Sequence, residues 1–164
     1  MNNNNDIDVS DAQILVVDDT PHNLDLLYAI LKGKGYKIAA APSGEIALNI
    51  APSLKPDLIL MDVMMPKLDG YQTCRLFKSD PNLQDIPIIF ITAKTSLDDV
   101  VAGFDAGGVD YISKPIKARE VHARVHTHLQ SRALMKQQVV LNNKLQDLET
   151  RSRCIINEVT DAVV

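Results

Sequence analysis

The chain has 164 residues, 46% hydrophobic and 23% charged, with 7 Gly and 8 Pro, the make-up of one globular domain plus some extra. A net charge of -4 argues against bulk nucleic-acid binding, which wants a basic face. No apolar run approaches the roughly 20 residues needed to cross a bilayer, and no signal peptide precedes the fold. Cys74 and Cys154 have no CxxC or histidine spacing around them and read as free thiols, which makes the cytoplasm the default location.

Met1 to Asp8, with the Asn2–Asn5 tract, offers nothing to pack, and residues 1–10 read as a disordered tail. "AQILVV" (12–17) reads as a buried strand ending at Asp18-Asp19. Thr20-Pro21 supplies the N-cap and first position of a helix striped by Leu24, Leu27, Tyr28 and Leu31 and stopped by Gly33 and Gly35. "YKIAAA" (36–41) is a second strand, and Ser43 caps a helix carrying Ile46, Ala47 and Ile50 that Pro52 and Pro56 close. "DLILM" (57–61) is the third strand and Lys67 to Ser79 the third helix. "IPIIFIT" (86–92) is a fourth strand, followed by a helix from about Ser96 to Ala106. "GVDYI" (108–112) is a fifth strand, and Pro115 opens the last helix.

Five strands alternate with helices, and their centres are apolar throughout, as in a parallel sheet covered on both faces. Right-handed crossovers then restrict the topology to an α/β doubly wound fold over residues 11–130. Beyond it, residues 131–164 extend the last helix without Gly or Pro. Positions 134, 138, 141, 145, 148, 152, 155, 159 and 162 follow coiled-coil spacing. Leu134, Leu141, Leu145, Leu148, Ile155, Val159 and Ala162 are apolar, while Gln138 and Ser152 are polar. This predicts a two-stranded seam, hence a homodimer through the C-terminal helix, leading to an output domain.

In such a sheet the ligand site lies beyond the carboxyl ends of the strands. Those ends bear Asp18 and Asp19, Asp62, Thr92 and Lys114. Three carboxylates together repel, and a divalent cation removes the repulsion. Hard oxygen donors suit Mg²⁺, with Mn²⁺ as a substitute, better than zinc. Asp62 can then stay ionised as a nucleophile on phosphorus, while Lys114 and Thr92 hold phosphoryl oxygens.

The stretches "ILVVDDTPHN", "PDLILMDVMMPKLDG", "IPIIFITA" and "GFDAGGVDYISKP" together resemble the receiver (response regulator) domain of bacterial two-component systems over about residues 12–130, which implies a flavodoxin-like fold with strand order 2-1-3-4-5. The resemblance implies that Asp62 accepts a phosphoryl group from a histidine kinase or phosphotransfer protein. It implies Asp19 and Asp62 as direct Mg²⁺ ligands, Asp18 acting mainly through water, and the Met64 carbonyl completing the set. It implies phosphoryl contacts from Lys114, Thr92 and the backbone N–H groups of Met64 and Ala93. Tyr111 would be the aromatic switch that turns inward with Thr92, the Lys114–Pro115 bond would be cis, and Pro66 and Gly70 would shape the loop after the nucleophile. Gly108-Val109 departs from the usual Ala-Asp or Ala-Asn and would soften the adjoining face. Met64 and Lys94 stand where side chains gate water access to an acyl phosphate.

Rival readings lack parts. A haloacid-dehalogenase-like phosphatase needs an Asp at position 64, which is Met64. A dinucleotide binder needs GxGxxG where this chain has "DDTPHN". His122, His126 and His128 lack the carboxylate of an HExxH zinc site, and the mixed charges of the last helix do not suit a lipid surface. The remaining alternative is a phosphorylation-independent dimerisation scaffold with a vestigial acidic pocket. The segment itself is not expected to be an enzyme beyond accepting its own phosphoryl group and losing it again.

Overall fold

The computed structural model describes the backbone of residues 6–162 and the side chains of residues 6–154. Five strands, β1 (Gln13–Val17), β2 (Lys37–Ala41), β3 (Leu58–Asp62), β4 (Ile88–Thr92) and β5 (Asp110–Ser113), form one parallel sheet in the order β2-β1-β3-β4-β5. The crossovers are α1 (Pro21–Lys32), α2 (Gly44–Leu54), α3 (Gly70–Ser79) and α4 (Leu97–Asp105), and α5 (Ala118–Ala162) follows the last strand.

The uniformly apolar strands divide their side chains between two cores. Leu15, Val17, Ile59, Met61, Ile88 and Phe90 share one with Ala47, Ala51, Cys74 and Phe77. Ile14, Val16, Leu58, Leu60, Ile89 and Ile91 share the other with Leu27 and Leu31 of α1 and Val121, Val125 and Leu129 of α5. The alternation is the period of two along a strand, and both faces are covered, so neither set is polar. Burying each such side chain contributes about 1.5–3 kcal/mol, which overcomes the chain entropy lost in ordering the sheet.

The elements differ from their sequence expectations mainly at their starts. α3 begins at Gly70, not Lys67, because Lys67 takes a left-handed φ of 65° and Asp69 caps the helix. Asp69 Oδ1 accepts from Gln72 N at 2.8 Å and Gln72 Oε1 accepts from Asp69 N at 3.1 Å, a reciprocal capping box. Pro52 does not close α2 but lies inside it, and the helix ends at a left-handed Lys55 whose N–H bonds Ala51 O. The last helix begins at Ala118 rather than Pro115, and the Lys114–Pro115 bond is cis. Of the expected tail, residues 1–5 lie outside the described residues, while Ile7 N donates to Gln130 Oε1 at 3.0 Å and Val9 packs against the α1/α5 core.

The chain divides into two compact units between Gln130 and Ser131. In the second, α5 exposes Leu134, Leu141, Leu145 and Leu148 to between 43% and 60%. Ile155, Val159 and Ala162, expected in the same stripe, lie outside the residues whose side chains are described. Among the described residues no helix is long and apolar enough to cross a membrane.

Candidate functional site

The carboxyl edge of the sheet gathers the residues that the sequence reading placed there. Asp62 is the last residue of β3, paired in register with Ile91, and Thr92 closes β4 opposite Ser113. Lys114 follows β5 and is tied down by its own N–H, which donates to Thr92 O at 2.9 Å. The carboxylates of Asp18, Asp19 and Asp62 each offer an oxygen within 4.8 Å of the others, with Asp18 and Asp62 buried and Asp19 exposed.

Asp62 is 2% exposed, and its Oδ1 accepts from Lys114 Nζ at 3.1 Å. Burial, and then the neighbouring negative charge of Asp18, raise its carboxyl above the ordinary range; Lys114 and the Met64 N–H pull the other way and do not offset them. The trio is therefore short of positive charge, and its all-oxygen chemistry fits a hard divalent cation rather than zinc.

Asp18 is more committed than its neighbours. Its Oδ1 accepts from Thr20 N at 2.8 Å and its Oδ2 from Asn23 Nδ2 at 3.1 Å, so it also starts α1. The Thr20 side chain makes no capping bond, and Asp18 instead fixes the entry to α1 through the Thr20 N–H and the Asn23 side chain. Thr92 is 3% exposed, and its Oγ1 accepts from Lys94 N at 2.9 Å, which leaves the hydroxyl proton free to donate. Met64 is 57% exposed and Met65 is buried, so the first methionine borders solvent and the second is core. The loop between Asp62 and α3 is held by Gly70 N donating to Val63 O at 2.9 Å. A Cβ on Gly70 would stand 2.3 Å from Asp62 O, so that close approach needs glycine.

Tyr111 is half-buried, its ring 6.2 Å from that of Phe104. It borders a small cavity with Thr92, Tyr71, Phe90 and Gly103. Several residues here carried no signal in the sequence. Tyr71 OH donates to Asp99 O at 3.1 Å and meets Phe90 edge-on at 5.1 Å, joining α3 to α4. Gly108 is closely packed: a Cβ there would lie 2.4 Å from Phe90 Cε2. Asp110 binds Arg124 through both oxygens, at 3.0 and 2.9 Å, and accepts from or faces His128 Nε2 at 3.0 Å. His122 Nε2 meets Ile30 O at 2.7 Å, so His122 and His128 serve different partners and do not form a zinc site.

The profile of the response regulator receiver domain family matches residues 14–126. The chain belongs to that family. This receiver domain is similar to a probable cyclic di-GMP phosphodiesterase from Vibrio cholerae, 38% identical over 160 residues that cover 96% of this chain and 35% of the relative. It is also similar to the DNA-binding response regulator MtrA of Mycolicibacterium smegmatis, 40% identical over 75% of this chain and 53% of the relative. Among solved structures it is similar to the receiver domain of a sensor histidine kinase from Pseudomonas aeruginosa, with a TM-score of 0.68 and 33% identity over 73% of this chain and 98% of that one. That structure has a magnesium ion coordinated in its active-site cleft. The chain thus spans about a third to a half of the length of the two curated relatives.

Proposed function

We propose that Asp62 accepts a phosphoryl group from the phosphohistidine of a sensor histidine kinase or phosphotransfer protein and relays the change through α5. The observation that carries this reading is the ion pair at 3.1 Å between Lys114 and a carboxylate that is otherwise buried beside two more carboxylates. A structural ion pair needs no such crowd of like charge; a phosphoryl acceptor does.

In this reading an Asp62 oxygen attacks phosphorus in line. A P–O bond forms as the P–N bond breaks, and the electron pair stays with the departing imidazole nitrogen. Lys114 then moves its ammonium from the free carboxylate to a phosphoryl oxygen. Thr92 keeps its bond from Lys94 N and donates its free proton to a second oxygen, while the N–H groups of Met64 and Ala93 hold the remaining charge. Asp19, Asp62 and the Met64 carbonyl are the proposed direct ligands of Mg²⁺ or Mn²⁺. Asp18, with both oxygens already bonded, is assigned to act through water. When bound, the cation supplies positive charge that lets the carboxylates and phosphoryl oxygens share one pocket. The magnesium in the Pseudomonas neighbour supports this assignment.

Tyr111 is assigned as the switch that turns inward as Thr92 is drawn to the phosphoryl group, shifting a pre-existing equilibrium. The output is proposed to be a further domain beyond residue 164, dimerised through α5 and located in the cytoplasm. The Vibrio relative, matched over 160 residues that reach into the long helix, supports an enzymatic output. Direct nucleic-acid contact is not assigned to this segment, whose net charge is -4.

The test is exposure to a small acyl-phosphate donor, or to beryllofluoride, with Mg²⁺. The wild type should gain one phosphoryl group by mass or show a Mg²⁺-dependent spectral change, and Asp62→Asn should do neither. A wild type that is equally inert would favour the dimerisation scaffold.

A further inference from the structure

We propose that a groove between the end of α1 and the first turns of α5 binds a phosphate-type anion. The groove has a volume of about 540 Å³ and is lined by Lys34, Tyr36, Arg119, His122, Ala123 and His126. Four of these six carry, or on protonation acquire, positive charge, and no carboxylate lines the groove. The chain as a whole holds 21 acidic residues against 17 Lys and Arg, so a lining of one positive sign runs against its composition. The groove is remote in kind and place from the acidic trio. Tyr36 directly precedes β2, at the amino edge of the sheet, whereas Asp62 ends β3 at the carboxyl edge.

The cations are also uncommitted. On another side of α5, Arg124 is paired with Asp110 and Glu120, and His128 with Asp110. Among the described residues Lys34, Arg119 and His126 form no ion pair. Like charges lining one concavity focus their field into it and are relieved by a counter-ion. His122 is held in place for such a role. Its Nε2 lies 2.7 Å from Ile30 O, and a carbonyl only accepts, so Nε2 carries the proton. The other ring nitrogen is left to meet a ligand, as a second N–H donor when the ring is protonated.

The donor set selects the ligand class. A guanidinium fork and an ammonium, with His126 and the protonated form of His122 as further donors, match the tetrahedral oxygens of a phosphate or phosphate ester. The volume is that of a small-molecule site.

The probes are inorganic phosphate and pyrophosphate, titrated into the whole chain with EDTA present and followed by amide chemical shifts. Vesicles of phosphatidylglycerol form a second arm. Saturable shifts at residues 34, 36, 119, 122 and 126 are expected. They should weaken by about tenfold, roughly 1.4 kcal/mol, in Lys34→Gln/Arg119→Gln and in Arg119→Gln/His126→Gln, and persist in Asp62→Asn. These positions are exposed, so the variants should keep the wild-type circular dichroism. Vesicle binding lost in the same variants would uphold the groove with a lipid headgroup as the source. Absence of saturable binding in both arms, binding unchanged in the double variants, or binding abolished by Asp62→Asn would overturn the proposal. The result is independent of whether Asp62 accepts phosphate.

Discussion

Asp62 meets two opposed demands: it must be ionised to act as a nucleophile, yet burial and Asp18 favour its protonated form. Its folded-state carboxyl titrates above the ordinary value, so ionising it costs stability. That cost is fully present above the raised value and is relieved as the pH falls through it. Asp62→Asn should therefore raise the melting temperature of the metal-free protein at pH 7, by about 2–4 °C for each 1 kcal/mol relieved. Mg²⁺ should raise the melting temperature of the wild type and leave that of Asp62→Asn nearly unchanged, as read by calorimetry with and without EDTA. An unchanged metal-free melting temperature would mean that Lys114 alone neutralises the site. Asp110 is the opposite case. Burial raises its carboxyl, but bonds from His128, the Tyr111 N–H and Arg124 outweigh that and hold it below the usual value. Its contribution should be complete above the unfolded carboxylate value of about 3.9 and vanish as the pH falls through its own lower one. Asp110→Asn should thus destabilise at pH 7, while urea midpoints of wild type and variant converge as the pH falls below the ordinary carboxylate range. The effect should be modest, about 1 kcal/mol, because Arg124 is 41% exposed and solvent screens the pair.

α4 buries only Gly103 among its own residues. Its exposed side carries Leu97, Val101 and Phe104, and its sheet side is fitted by Gly103, whose Cβ would lie 3.3 Å from Phe90. The Tyr71 hydroxyl adds a bond from the helix that follows the Asp62 loop. Removing it in Tyr71→Phe should loosen α4 by about 1 kcal/mol, roughly a fivefold faster exchange of its amide hydrogens, while α1 and α2 amides stay unchanged. Gly108→Ala should cost about 1–3 kcal/mol, since the new Cβ would overlap Phe90 Cε2 at 2.4 Å. Gly33→Ala is the control: it has φ -61° and its nearest neighbour, Ile30 O, would be 3.7 Å away, so it should be neutral or stabilising. Equal losses at both positions would sink the close-contact account of Gly108. Neither glycine could be ranked from the sequence, because the distinction lies in what Phe90 occupies.

At the scale of the whole molecule, the proposed seam makes the sharpest demand. Leu141→Asp/Leu145→Asp should convert a dimer to a monomer in analytical ultracentrifugation, without changing beryllofluoride binding at Asp62. A wild type that is monomeric at high concentration would remove the seam. The alternation of strand and helix and the acidic trio at the strand ends were legible in the residues, and the 2-1-3-4-5 order in the resemblance to receiver domains. Apolar runs, caps and the turn residues that end elements are local signals, and crossover handedness then leaves few topologies. Helix starts were less legible, because the capping box of Asp69 and Gln72 and the left-handed Lys67 compete with a helix-permissive sequence from Lys67 onward. Asn23 against Asp18, Tyr71 against Asp99, Arg124 and His128 on Asp110, and the grouping of Lys34, Arg119, His122 and His126 in one groove were not legible at all. Each pair joins residues of different elements, from five positions apart for Asn23 and Asp18 to 28 for Tyr71 and Asp99, and polar residues there look the same whether solvated or paired. Sequence alone therefore determined the elements, their order and the chemistry at the strand ends, since these follow from periodicity and handedness. Only the tertiary structure decided which charges meet and which are left facing an open groove, because contact energies depend on distances that no spacing along the chain encodes.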